Sequence, residues 1–173
     1  MHNEIYKGAE LMLIYHGSNF EVSLPRIIIP TRGLDFGVGF YTTTNKDQAI
    51  GFTENVLIRN KGVGKRIVSI YEIDEDKIKQ ELSVKEFVGV TDEWFDFVYE
   101  NRNQKYSGLK YDVIIGAVAN DTVYKVFNRY EDGIIDRETA INQLKIKELY
   151  NQFVFANGKA LAYLNFVNFE EVS

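Results

Sequence analysis

Short apolar runs recur along this chain and are separated by polar segments, a pattern typical of buried strands. Runs at Leu11–Tyr15, Ile67–Ile73 and Tyr111–Gly116 each predict a strand. Gln152–Ala156 predicts another, with alternate side chains on opposite faces. Asn157 and Gly158 then end the run, and a helical turn and a last strand follow.

Between the strands, apolar positions recur at helical spacing. One helix is predicted over about residues 45–57, with Thr44 or Asn45 as its N-cap. A second is predicted over Leu82–Arg102, with Thr91 as a possible cap inside it.

Two shorter helices are predicted towards the C-terminus, one over about residues 122–130 and one beginning at Asp136. Helices and strands interleave without regular βαβ spacing, which favours the α+β class over the α/β class. We therefore expect residues 1–173 to form a single α+β domain of two bent, mostly antiparallel sheets with flanking helices.

The segment Asp35–Phe52 combines glycines with aromatic residues, which points to a ligand slot. Tyr41 lies at a predicted strand end, and Phe52 follows eleven residues later on the predicted helix. Two aromatic faces placed in this way can flank a flat cationic ring by stacking and by cation–π attraction. The alternative is that both rings fill the core.

Composition and charge exclude several classes of site. The chain has no cysteine and two histidines, so thiolate nucleophiles, cysteine-rich zinc sites and histidine-cluster metal sites are excluded, and we expect no metal. A net charge of −5 disfavours sequence-independent nucleic-acid binding. A local basic group, IRNKGVGKR, is interpreted as a solvated connection. No GxGxxG phosphate loop is present. The N-terminal apolar run is too short for a signal peptide or a membrane span, which predicts a cytoplasmic protein with no membrane contact.

Four motifs in order resemble one enzyme family. They are YHGS at Tyr15–Ser18, DFGxGFYTT followed by Phe52, YDVIIGAVAND from Tyr111, and NQFVF from Asn151. Together they resemble the H-Y-E (diphtheria-toxin-like) class of ADP-ribosyltransferases. Their order is most similar to a prokaryotic branch associated with toxin–antitoxin pairs, and the resemblance spans about residues 12–170.

The resemblance implies an enzyme that cleaves NAD and transfers ADP-ribose. His16 would hydrogen-bond a ribose hydroxyl of NAD, or it is a structural histidine. Gly17 would offer its backbone N–H and C=O to the nicotinamide amide, or it is a turn glycine. Ser18 would bind the same amide or cap the turn.

The same resemblance assigns the remaining candidates. Tyr41 and Phe52 would stack on the two faces of nicotinamide, and Arg32 would bind the NAD diphosphate unless it is an ordinary surface arginine. Gln152 stands where the class has its catalytic glutamate. An amide accepts the same ribose hydrogen bond but carries no charge, which disfavours chain extension to poly(ADP-ribose). The alternative is a polar residue at a strand edge.

The expected function is therefore a mono-ADP-ribosyltransferase with NAD as its substrate. The expected partners are a macromolecular acceptor, protein or nucleic acid, and an antitoxin protein. The alternatives are a catalytically weak NAD or ADP-ribose-binding module and an NAD glycohydrolase.

Overall fold

Seven strands and six helices follow one another along residues 9–117, 121–145 and 150–173, which the computed structural model describes. The strands are β1 (Leu11–Ser18), β2 (Phe40–Thr43), β3 (Ile67–Asp74), β4 (Val84–Glu86), β5 (Val113–Ala117), β6 (Asn151–Phe155) and β7 (Asn165–Glu171). The helices are α1 (Lys46–Arg59), α2 (Glu75–Glu81), α3 (Asp92–Arg102), α4 (Asp121–Glu131), α5 (Arg137–Lys145) and α6 (Gly158–Leu161). Within these ranges, no helix has both the length and the apolar character needed to cross a membrane.

The strands form one sheet in the order β4-β5-β6-β2-β1-β3-β7. Only β4 and β5 run parallel; the other neighbouring strands are antiparallel. The predicted α+β class is confirmed, but the two expected sheets are one continuous sheet. Its two parts meet where β1 pairs with β2, and this junction has a single pair in register, Tyr15 opposite Thr43.

Helices cover both faces of the sheet. On one face, α3, α4 and α5 pack over β5 and β6 around Ile114 and Val154, and α1 packs farther along over β1 and β3. On the other face, α2 and α6 cover Phe153 and Phe155. Because side chains alternate along a strand, the residues of β6 contribute to both cores.

Local signals predict the helix starts well. Asn45 is the N-cap of α1, and its side-chain oxygen accepts the backbone N–H of Gln48 at 2.8 Å. Thr91 is the N-cap of α3 and accepts the N–H of Trp94 at 3.1 Å. Both caps were expected from the sequence.

The long helix predicted over Leu82–Arg102 is wrong in its first half. Val84–Glu86 is strand β4, paired in parallel with β5, and the helix begins only at Asp92. Gly89 has a positive φ of 70°, which interrupts any helix between the two. For the helix predicted over about residues 122–130, the sequence offers Asn120 or Asp121 as the N-cap. Helix α4 already begins at Asp121, and Asn120 lies outside the described residues.

Candidate functional site

The candidate site is the gap that opens between β1 and β2 beyond their single pair, Tyr15 with Thr43. Past this pair, β1 continues through His16, Gly17 and Ser18 and stays paired with β3 only. The N–H and C=O groups of successive strand residues point to opposite edges. One of the two residues Gly17 and Ser18 therefore directs both of its backbone groups into the gap.

His16 spans this gap. Its Nδ1 lies 2.7 Å from the carbonyl oxygen of Tyr41, and its ring stacks on Phe40 with the centroids 4.3 Å apart. A carbonyl only accepts hydrogen bonds, so Nδ1 carries the proton. Burial lowers the pKa of His16, although its bond to the Tyr41 carbonyl opposes this effect. The ring is therefore neutral at pH 7, and Nε2 is an acceptor with no hydrogen-bond partner among the described residues.

The side chain of Tyr41 is fixed by hydrogen bonds to its hydroxyl and by packing of its ring. Its hydroxyl donates to the carbonyl of Gly37 at 2.6 Å and accepts from the backbone N–H of Phe36 at 3.0 Å, while its ring packs against the core. Burial raises the pKa of the hydroxyl, so it stays protonated. In the described chain no ring contact joins Tyr41 with Phe52, so these two rings do not stack on each other.

Gln152 is a buried amide without a protein partner. It lies on β6 opposite Thr43 of β2 and opposite Gly116 of β5, and it is 5% exposed. Its Nε2 is fully enclosed and makes no hydrogen bond, and its Oε1 also has no partner but is not fully enclosed. An unpaired buried amide of this kind costs about 1–3 kcal/mol, which marks a functional position more than a structural one. The alternative of a polar residue at a strand edge is wrong, because β6 has a neighbour on both sides.

The three motif residues approach this gap from two faces of the sheet. By alternation, Tyr41, Thr43 and Gln152 share the face covered by α1. His16 stacks with Phe40 on the opposite side. The contact that links the two sides is the hydrogen bond of His16 to the backbone carbonyl of Tyr41.

Helix α1 forms one wall of this site. Phe52 is 47% exposed, so it is not a core residue, and the Arg59 guanidinium lies 5.2 Å from its ring centroid. Gly17 is buried beneath the helix, where an added Cβ would overlap with the carbonyl oxygen of Ala49. The packing of α1 on β1 therefore already requires a glycine at position 17, whether or not a ligand binds there. Ser18 is half-buried and pairs with β3.

The loop before β2 brings charged groups close to the side chain of Tyr41. Asp35 is buried, with one carboxylate oxygen 3.8 Å from Nη1 of Arg102, and neither atom makes a hydrogen bond. Burial raises the pKa of Asp35 to about 6, against the attraction of Arg102 and Arg32. Arg32 itself is exposed.

Arg32 and Arg59 are close enough to influence each other. The pKa of Arg59 is lowered first by burial and then by the positive charge of Arg32. In the part of the chain that is described, neither guanidinium lies within 4.0 Å of a carboxylate. Two neighbouring cations that form no close ion pair favour an anionic ligand.

Three residues near the gap were not predicted as site residues, namely Gln48, Arg59 and Tyr124. Gln48, Phe52 and Arg59 are separated by four and seven residues, so they share one stripe of α1. That spacing was a usable signal. Tyr124 of α4 lies under the Arg102 guanidinium, 3.9 Å from its ring centroid, and only the tertiary fold brings it there.

Among the described residues, no group of three or more histidine, aspartate or glutamate side chains is arranged to hold a metal ion. Comparison with known proteins found neither a curated protein nor a solved structure that matches the chain. A family profile matches residues 12–166, which is most of the chain. The chain therefore belongs to the family described as "Protein of unknown function (DUF3990)".

Proposed function

We propose that this protein is a mono-ADP-ribosyltransferase with NAD as its substrate. The observation that carries the proposal is that an acceptor nitrogen of His16 on β1 and an unpartnered amide of Gln152 on β6 lie on the two sides of β2, the strand that carries Tyr41. The strands β1, β2 and β6, which carry three of the motifs that resemble the H-Y-E class, are neighbours in the sheet, and this supports the proposal. Polar groups left unpaired in a cleft are the usual sign of a missing ligand.

The nicotinamide ring would lie against Tyr41, with the exposed ring of Phe52 on its other side. The backbone N–H and C=O of Gly17 or Ser18 would bind its carboxamide, since such a pair matches an amide's acceptor and donor. His16 would accept a hydrogen bond from a ribose hydroxyl at Nε2. In this role the neutral imidazole is needed, which agrees with the direction of its pKa.

The diphosphate would lie near Arg32 and Arg59. Their proximity costs electrostatic repulsion in the free protein, and a dianionic diphosphate would relieve it.

In the reaction, the bond between ribose C1′ and the nicotinamide nitrogen breaks, and its electron pair stays on the nitrogen, which becomes neutral. The sugar passes through an oxocarbenium-like transition state. A nucleophile of the acceptor then forms a bond to C1′ and loses its proton to solvent. Gln152 would accept a hydrogen bond from the ribose 2′-hydroxyl at Oε1 and direct its dipole at the developing positive charge.

The neutral amide limits this catalysis. A carboxylate 4 Å from a unit charge at an effective dielectric of 20 would contribute about 4 kcal/mol, and an amide supplies only part of that. Transfer of single ADP-ribose units therefore fits the site better than chain extension. The missing charge at Gln152 is also the observation that favours a second candidate function, a binding module for NAD or ADP-ribose.

The cellular role proposed with this chemistry is that of a cytoplasmic toxin held in check by an antitoxin protein, with a protein or nucleic acid as acceptor. This role rests on the resemblance in the motifs. No contact among the described residues supports this role separately.

The test is nicotinamide release from NAD by the purified protein, with and without cell lysate. Release that requires lysate supports a transferase, release without lysate indicates an NAD glycohydrolase, and binding without release indicates a binding module. Labelled NAD added to protease-treated or nuclease-treated lysate then identifies the acceptor as nucleic acid or protein, respectively.

A further inference from the structure

A hydrogen-bond relay connects the start of α1 to the strand pair that carries Gln152. The hydroxyl of Thr43 accepts the backbone N–H of Asn45 at 3.1 Å and donates to Oε1 of Gln48 at 2.7 Å. The shorter distance is typical of O–H···O bonds, which supports the assignment of the oxygen of Gln48 to this contact. The amide of Gln48 is therefore held with Oε1 towards Thr43 and Nε2 directed away from it.

This relay lies beside Gln152. Thr43 and Gln152 are directly opposite each other on β2 and β6, so their side chains are cross-strand neighbours on the face covered by α1. Gln48 is half-buried above Thr43 on that face, and its Nε2 has no hydrogen-bond partner among the described residues. Both amides are neighbours of Thr43, and they offer a free donor at Gln48 and a free acceptor at Gln152.

Taking NAD as the substrate proposed above, we infer that Gln48 and Gln152 together bind the 2′-hydroxyl of its nicotinamide ribose, with Thr43 as the positioning residue for Gln48. A hydroxyl donates one hydrogen bond and accepts up to two. It would donate to Oε1 of Gln152 and accept from Nε2 of Gln48. The donor at Gln48 fixes the orientation of the 2′-hydroxyl. The neutral amide of Gln152 cannot fix it alone, because it has no charge to attract the hydroxyl proton.

Discrimination between NAD and its analogue lacking that 2′-hydroxyl measures this contact. In Gln48→Glu, the side chain still accepts from Thr43 but has no N–H group for the ligand. Both dissociation constants are measured by titration calorimetry. The wild type is expected to prefer NAD over the deoxy analogue, and Gln48→Glu to lose about tenfold of that preference, the effect of one hydrogen bond. A carboxylate also accepts a hydrogen bond from the 2′-hydroxyl and so masks this loss. Gln48→Met, which has neither an N–H group nor a charge, is therefore measured beside it and should lose the same preference.

Matched controls separate positioning from folding. Glu54→Gln makes the reverse exchange at an exposed site on the same helix and should leave the ratio unchanged. Thr43→Val should lower the ratio as Gln48→Glu does, and Thr43→Ser, which keeps the hydroxyl, should restore it.

The outcomes distinguish the two levels of proposal. A wild-type preference that Gln48→Met and Thr43→Val leave intact overturns the role of Gln48 while the NAD site stands. A wild-type protein that binds neither ligand overturns the NAD site itself, and the role of Gln48 with it.

Discussion

Replacing Gln152 by alanine is the perturbation for which the structure gives the clearest expectation. The amide is 5% exposed, and neither of its polar atoms bonds to another described residue. Its removal therefore breaks no internal hydrogen bond and deletes a buried donor that costs the folded state about 1–3 kcal/mol. That gain offsets much of the packing lost with the side chain, so we expect the variant to fold.

The effect on catalysis should be much larger. Removing one preorganised polar group from a water-excluded site costs about 2.7–4 kcal/mol of transition-state stabilisation. We expect Gln152→Ala to lower kcat on the order of 10²-fold or more, nearly abolishing transfer. The KM for NAD should rise by no more than about tenfold, because the loss of one hydrogen bond in the ground state is smaller than the loss in the transition state.

The opposite substitution sharpens the test. Gln152→Glu restores the carboxylate of the H-Y-E class, whose charge contributes up to about 4 kcal/mol before the cost of burying it is subtracted. We expect kcat to rise above the wild-type value once the new carboxyl ionises, and to fall again at acidic pH.

Steady-state nicotinamide release measures both variants, and thermal unfolding checks that they fold. Asn151→Ala is the matched control, because this neighbouring amide is exposed and its described bonds use its backbone only. A folded Gln152→Ala enzyme with wild-type kcat would refute the assignment of the third motif.

The remaining predictions concern the other residues around the gap. Tyr41→Ala should raise the KM for NAD at least tenfold by removing the stacking surface, and unchanged turnover would show that the ring does not contact nicotinamide. Gly17→Ala should destabilise the fold by several kcal/mol because its Cβ would overlap with a carbonyl of α1, whereas Gly51→Ala on the open side of that helix should stabilise it by about 0.5–1 kcal/mol; chemical denaturation compares them. NMR titration should give His16 a pKa below 6.5 with the proton on Nδ1, and the affinity for NAD should fall as pH drops through that pKa; a proton on Nε2 would contradict the proposed ribose contact. The pKa of Asp35 is about 6 in the folded state and about 3.8 in the unfolded chain. The free energy of unfolding that Asp35 contributes therefore falls by roughly 3 kcal/mol as the pH rises from 3.8 to 6. Asp35→Asn should flatten that part of the stability profile, and an unaltered slope would show that its carboxyl is not perturbed.

The sequence predicted the elements whose signals are local. Asn45 and Thr91 cap helices as expected because capping depends on a side chain and the next three residues. β4 was missed because a strand of three residues is stabilised by its parallel partner β5, far away in sequence. The continuity of the sheet was missed for the same reason, since the single pair joining β1 to β2 leaves no trace in either strand's pattern.

For the site, the motif order predicted which strand ends meet, and His16 and Tyr41 are in direct contact as a result. Gln48 and Arg59 were missed because their roles depend on which side of α1 faces the gap. That side is fixed by Gly17, whose missing side chain lets the helix pack closely on β1. The spacing along α1 places Gln48 and Arg59 on the same stripe as Phe52, but it does not by itself show that this stripe faces the gap.

The central claim is that NAD lies between β1 and β2. A crystal structure of the protein with a non-hydrolysable NAD analogue tests it most directly. The account predicts a ribose hydroxyl on Nε2 of His16, a nicotinamide ring against Tyr41 and the amide of Gln152 within hydrogen-bond distance of the nicotinamide ribose. An analogue bound elsewhere, with this gap closed, would contradict it.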